Sequence, residues 1–219
     1  REAVSRGLHP VILSRGYGGR WERSGGVLEP LVRGGSTADP MNCGDESALL
    51  HGLVPEAWIG VGADRSASFD RVRSLARERG LREPDLAILD DGLQHLSLER
   101  DLELVLQTSA RPWTRVFREL PGERRSPALF AWTRGAEPPV GWRRRSGHSI
   151  RLKWRSVPTR AVAERPEIWL VTGVADGSRV RSALEEQEWC VSAHSNCRDH
   201  ARYTREWVNE ILDRARQGG

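Results

Sequence analysis

The sequence is poor in lysine. Of its 34 basic residues only Lys153 is a lysine, and the rest are arginine. Any chemistry that needs a lysine amine has this one candidate, and Lys153 sits in no glycine-rich turn. The phosphate-cradling pattern G-x-x-x-x-G-K-[ST] occurs nowhere. Methionine is equally scarce. Met41 is the only one, so residue 1 is not a natural start and an N-terminal piece is expected to precede it. The three cysteines, Cys43, Cys190 and Cys197, are too few and odd in number for a disulfide framework, and they fit a reducing cytoplasm. No apolar run is long enough to cross a bilayer. The opening Arg1-Glu2-Ala3-Val4-Ser5-Arg6 leads into no apolar segment of a secretory signal.

What is present is a chain of 219 residues with a net charge of +4. That length suits one α/β domain with a smaller lobe. A basic balance suits nucleic acid, anionic membrane surfaces or phosphorylated small molecules. A coding bias toward arginine accounts for it as well, since the only tight basic run is Arg143-Arg144-Arg145. Nucleic acid is not expected as a partner. The nine tryptophans are scattered singly and 30 acidic residues nearly balance the basic ones, so no basic, aromatic stripe forms.

Short β-rich runs alternate with helical periods. Val11-Ile12-Leu13, Trp58 to Gly62 and Leu86 to Leu89 read as strands, the last as a buried one. Leu102 to Leu106, Leu129 to Trp132, Ile150 to Trp154 and Ile168 to Gly173 follow. Glu46–Leu53 and Arg65–Arg79 read as helices, the second with Phe69, Val72, Leu75 and Ala76 on one face. A helix over Ser178–Gln187, a strand at Trp189-Cys190-Val191 and a final helix with a Trp207, Val208, Ile211, Leu212, Ala215 stripe complete the pattern. Strand, helix, strand in this order predicts an α/β fold with a mostly parallel sheet flanked by helices. The composition divides the chain into a core over 1–134, a Pro-, Gly- and Arg-rich connection or small lobe over 135–166, and a C-terminal α/β lobe over 167–219.

Asp90-Asp91-Gly92-Leu93-Gln94-His95 is the most informative segment. An apolar strand running into acidic residues places carboxylates at the C-terminal edge of a parallel sheet, where such sheets bind ligands. Two adjacent Asp suit Mg²⁺, a hard cation that takes oxygen ligands; an Asp-Gly turn explains them too. Gly44-Asp45-Glu46 opens a helix, so Asp45 is either an N-cap or a base that accepts a proton from a hydroxyl. In Ser14-Arg15-Gly16-Tyr17-Gly18-Gly19 the glycines permit close approach to a ligand and Arg15 can clamp a phosphate; a flexible loop is the alternative. Arg65 and Arg125 can reach phosphate or be solvated loop arginines. Cys190, His194, Cys197 and His200 are zinc-capable, but their spacing matches no familiar finger, and metal binding there stays open.

In this order the segments resemble the tetraacyldisaccharide 4′-kinase family, the lipid A 4′-kinases of Gram-negative bacteria. The resemblance rests on Ile12-Leu13-Ser14-Arg15-Gly16-Tyr17-Gly18-Gly19, Gly44-Asp45-Glu46, Gly62-Ala63-Asp64-Arg65 and Leu89-Asp90-Asp91-Gly92-Leu93-Gln94-His95. Arg100-Asp101-Leu102, the segment Leu120 to Pro127, Val171 to Ala175 and Asp199-His200-Ala201-Arg202-Tyr203-Thr204 extend it. It implies a P-loop NTPase-like kinase fold with a smaller C-terminal lobe. It implies transfer of the ATP γ-phosphate to the 4′-hydroxyl of a tetraacylated glucosamine disaccharide 1-phosphate. By the same resemblance Asp45 is the base, His200 pairs with it, and Asp90 and Asp91 hold Mg²⁺. Arg15, Arg65, Gln94, His95 and Arg125 line the phosphate and sugar cleft. The family's hydrophobic leader and Walker A loop would lie before residue 1, so the fold is expected to be N-terminally truncated here. A cytoplasmic location, peripheral on the inner membrane, is implied. Without the Walker A lysine these residues alone are expected to have little or no kinase activity. The alternative is a degenerate, non-catalytic paralogue that binds an anionic glycolipid or nucleotide.

Overall fold

A computed structural model describes residues 1–33, 36–93, 95, 97–107, 128–133, 149–152 and 167–217. Gln94, Arg125, Lys153 and most of the 135–166 segment lie outside the described residues. The chain divides into two compact units. Arg1–Val105 makes most of the first and Phe130–Gly219 most of the second.

In chain order the first unit runs α1 (Glu2–Ser5), β1 (Pro10–Ser14), α2 (Trp21–Ser24), β2 (Gly26–Leu28), α3 (Pro40–Cys43), α4 (Asp45–Leu53), β3 (Trp58–Val61), α5 (Arg65–Glu78) and β4 (Leu86–Leu89). β5 (Glu103–Gln107) follows. The sheet order is β2-β3-β1-β4. β1 lies parallel to β3, with Ile12 opposite Ile59, and parallel to β4, with Ile12 opposite Ile88. β2 closes the other edge in antiparallel register, a short strand that its Gly-Val-Leu sequence does not announce.

Every residue of β1 is buried. Its side chains alternate between faces, and the core splits accordingly. Ile12, Leu28, Ile59 and Val61 form one cluster with Cys43 and Ala57, covered by Ala48, Leu50 and Val54. Val11, Leu13 and Trp58 form the other with Val72 and Ala76 of α5. Each fully buried Val, Leu or Ile contributes about 1.5–3 kcal/mol, so α5 is held chiefly by its Val72 and Ala76 side. The Asp64 carboxylate caps α5 by accepting the Ala67 N–H at 3.0 Å. β4 departs from the expected buried strand. Among the described residues it pairs on one side only, and Ile88 is 44% exposed.

β6 (Ala128–Thr133), whose residues from Phe130 on belong to the second unit, pairs in parallel with β7 (Ser149–Leu152). β8 (Ile168–Thr172), α6 (Gly177–Glu185) and β9 (Val191–Asn196) form a parallel strand-helix-strand unit, followed by α7 (Arg205–Gln217). β9 starts two residues later than the sequence suggests. The exit from α6 uses Glu188 at φ +64 and a Trp189 N–H to Leu184 carbonyl bond of 3.1 Å. That turn consumes Trp189 and Cys190, and the strand is built from polar residues instead. Of the apolar stripe on α7, Trp207, Ile211 and Ala215 are half-buried, while Val208 and Leu212 are exposed. Among the described residues no helix is long and apolar enough to cross a membrane.

Candidate functional site

Because β1, β3 and β4 are parallel, their carboxyl ends share one edge. The chain leaves β1 through Ser14 and Arg15, leaves β3 through Gly62 to Arg65, and leaves β4 through Asp90 and Asp91. Three loops distant in sequence therefore bring together a charged group: Arg15, Arg65, Asp90, Asp91 and His95.

Arg65 is the unusual member. It occupies the first turn of α5 and is 2% exposed. Its Nη1 donates to the Gly62 carbonyl at 2.5 Å, and its buried Nε has no hydrogen-bond partner. Burial pulls the guanidinium below its ordinary value. Asp90 and Asp91 oppose that shift, whereas Arg15 adds to it. A buried cation without a bonded acid carries a desolvation cost of several kcal/mol, which an anionic ligand at this edge would offset. The expectation of a possible solvated loop arginine is thus overturned by its burial.

Asp90 is tied to β1 twice. Its N–H donates to the Leu13 carbonyl at 3.0 Å, and the buried Ser14 hydroxyl donates to its Oδ2 at 3.3 Å. Asp91 follows in the left-handed region at φ +48, a conformation costly for a non-glycine residue that sets the sharp turn off the strand. His95 closes that turn, its N–H donating to the Gly92 carbonyl at 3.0 Å. Burial first, then Arg65, Arg15 and Arg100, hold the His95 imidazole below its usual value, with Asp91 opposing. A neutral imidazole here can accept or relay a proton.

Arg15 is aimed by a residue absent from the sequence reading. The Glu22 carboxylate accepts from Arg15 Nε at 2.8 Å and from the Gly18 N–H at 3.2 Å. The Arg15 hydrogen bond is the largest reason that Glu22 is held below the ordinary carboxylate range. Glu22 holds the guanidinium through one nitrogen.

Gly16 and Gly19 of this loop make room for neighbouring backbone. Gly16 has φ +69, and a side-chain carbon there would lie 2.8 Å from the Cys43 carbonyl oxygen and collide with Val61. A carbon on Gly44, at φ +81, would lie 2.8 Å from the Gly16 carbonyl carbon. The β1–α2 loop and the α3–α4 junction touch backbone to backbone, and that contact sets Asp45 beside the loop that carries Arg15. Gly44 is the N-cap of α4, so Asp45 is its first residue and not its cap. Its Oδ1 accepts the Glu46 N–H at 3.0 Å.

In the second unit the β8 end is fixed by Thr172. Its hydroxyl donates to Asn196 Oδ1 at 3.0 Å, which leaves its oxygen to accept from His194 Nε2 at 2.8 Å. The loop after β9 returns to β8, where the His200 N–H donates to the Gly173 carbonyl at 2.9 Å with φ +55 at His200. Asp199 Oδ1 is 3.9 Å from His200 Nε2. The possible zinc set does not assemble from its four members: His194 faces Thr172, and the Cys190 thiol faces Glu167 at 3.7 Å. Among the described residues no three or more His, Cys, Asp or Glu converge as a metal group. Mg²⁺ takes only one or two carboxylates when phosphate oxygens and water complete its shell, so Asp90 and Asp91 could hold it without a larger acidic cluster. Asp45 belongs to the first unit and His200 to the second.

Known proteins are similar to this chain over its length. The family model described as tetraacyldisaccharide-1-P 4′-kinase matches residues 1–219. A tetraacyldisaccharide 4′-kinase of Geobacter metallireducens is 30% identical over 237 aligned positions, covering all of this chain and 68% of the relative. One from Pelobacter propionicus is 38% identical over 116 positions, covering 52% of this chain and 29% of the relative. A crystal structure from Aquifex aeolicus, described as LpxK in complex with ATP, superposes with a TM-score of 0.61 at 22% identity, over 92% of this chain and 65% of the other. The likeness of fold is therefore established, and the chain spans about two thirds of that protein's length.

Proposed function

The chain belongs to the tetraacyldisaccharide-1-phosphate 4′-kinase family, and from that premise we propose that its sheet edge takes part in moving the γ-phosphate of ATP to the 4′-hydroxyl of a tetraacylated disaccharide 1-phosphate. The step belongs to lipid A biosynthesis and would take place at the cytoplasmic face of the inner membrane. The observation that carries the reading is Arg65, a buried cation with an unpartnered Nε at the head of an acidic and basic cluster. Phosphoryl transfer asks for positioning and for neutralisation of charge on the transferring group. Arg65 and Arg15 would bind phosphate oxygens, and the family resemblance assigns His95, Gln94 and Arg125 to the same phosphate and sugar cleft. Asp90 and Asp91 would hold Mg²⁺, which supplies charge neutralisation when bound. Asp45 would take the proton of the attacking hydroxyl, and His200 would orient Asp45.

A second reading gives the cluster a binding role alone. On that reading the same cluster binds nucleotide or phosphorylated glycolipid without turnover. The test is transfer of labelled γ-phosphate to the disaccharide by the wild type, Asp45→Asn and Arg65→Met. Slow transfer lost in both variants supports the kinase. Binding lost in Arg65→Met with no transfer selects the second reading. Transfer indifferent to both substitutions refutes the assignment.

A further inference from the structure

Arg100 lies outside the charged cluster, yet its guanidinium ends on the loop that carries it. Nη1 donates to two carbonyl oxygens, Gly92 at 2.9 Å and His95 at 2.7 Å. Nη2 meets the Glu103 carboxylate at 2.7 Å, with the side chains only 14% and 8% exposed. Glu103 is the first residue of β5, so the pair is anchored to a strand and not to another loop.

Those two carbonyls are the ends of one turn. The His95 N–H already donates to the Gly92 oxygen at 3.0 Å, so Arg100 adds a second donor at that oxygen and caps the far end as well. The turn begins beside Asp91, whose φ of +48 persists only where the surroundings over-determine it. A planar guanidinium with donors at fixed angles suits that task, and a single ammonium meets it only in part. A buried ion pair is in itself weak support for stability. Here its geometry is spent on the one segment that presents Asp91 and His95.

We propose that Arg100 is a positioning residue: held by Glu103, it locks the Gly92–His95 turn so that the Asp91 carboxylate and the His95 ring stay aimed at the sheet-edge site. What the locked turn is for rests on the kinase reading; the lock itself does not.

The experiment compares wild type, Arg100→Gln, Arg100→Lys and Glu103→Gln in the full chain. It follows amide hydrogen exchange and the His95 ring resonance by NMR, with and without Mg²⁺ and ATP. In Arg100→Gln the His95 amide is expected to exchange at least tenfold faster, while the β1 and β3 amides keep their rates. The His95 ring resonance should move toward that of a free histidine. Arg100→Lys should recover part of both effects, and Glu103→Gln should reproduce them in weaker form. If Arg100→Gln does not fold, the same comparison is decided by Arg100→Lys and Glu103→Gln. Unchanged exchange and an unchanged ring resonance overturn the proposal, as does a loss spread evenly over the core amides. Should Mg²⁺ and ATP leave the wild-type ring resonance unmoved, the kinase reading fails, while exchange and the ligand-free resonance still decide the role of Arg100.

Discussion

Substituting Gly16 by alanine separates the backbone contact at the site from simple turn strain. Gly18 supplies the control. Both have positive φ, +69 and +73, but a carbon on Gly18 meets nothing within 4 Å. Gly18→Ala therefore incurs only the left-handed penalty of about 1–2 kcal/mol. Gly16→Ala incurs the same penalty and adds a carbon 2.8 Å from the Cys43 carbonyl oxygen and in collision with Val61. Those partners are a backbone atom and a buried strand residue, neither free to swing away. Overpacking of this kind costs a further 1–3 kcal/mol, roughly. The total for Gly16→Ala is then about 2–5 kcal/mol, a large share of the 5–15 kcal/mol typical of a domain. Gly19→Ala isolates the contact, since a carbon there would lie 2.6 Å from the Asn42 carbonyl oxygen without positive φ. Urea unfolding is the assay. With a slope of about 1–3 kcal/mol per molar, Gly16→Ala should unfold roughly 1 M below Gly18→Ala. Equal midpoints would refute the claim that the two loops touch backbone to backbone.

Arg65→Met removes the buried cation and keeps the volume. The melting temperature should hold or rise, while affinity for Mg²⁺ and ATP falls roughly tenfold or more, the loss of one charge-assisted bond of about 1.5–3 kcal/mol; a lower melting temperature with intact affinity would contradict the assignment. His95 is held below its ordinary value, so the unfolded chain binds the extra proton more readily. Stability is then full above about pH 6.5 and lost as pH falls through that value toward the folded one. Melts between pH 7.5 and 5 (on the order of that window) should show a steeper loss in wild type than in His95→Asn, and parallel curves would count against it. Thr172→Val removes a hydroxyl shared by Asn196 and His194 and should cost about 1–3 kcal/mol, read by urea unfolding.

Much of the first unit was legible because period and burial coincide. Val11-Ile12-Leu13 and Trp58 to Val61 are apolar on both faces, and the α5 stripe fell where expected. The misreadings have physical causes. β4 is as apolar as a central strand, but among the described residues it pairs on one side only and Ile88 is exposed. β9 is polar because Asn196, His194 and Ser195 make hydrogen bonds to β8 side chains, which no hydrophobic count detects. The acidic pair, Arg15 and His95 were visible as a motif. The burial of Arg65, the Glu22 partner of Arg15 and the Arg100 clamp were not, because each depends on contacts between separated loops. Asp64, two residues before Ser66 in a helix start, carried a capping signal that was available in the sequence.

The central claim is that the sheet edge formed by Arg15, Arg65, Asp90, Asp91 and His95 holds a magnesium-bound phosphate chain. Phosphorus NMR of ATP titrated with the protein tests it most directly. The account predicts that wild type shifts and broadens the β and γ resonances only when Mg²⁺ is present, and that the Asp90→Asn, Asp91→Asn double variant abolishes the effect. Resonances that respond equally without Mg²⁺, or equally to the double variant, would contradict it.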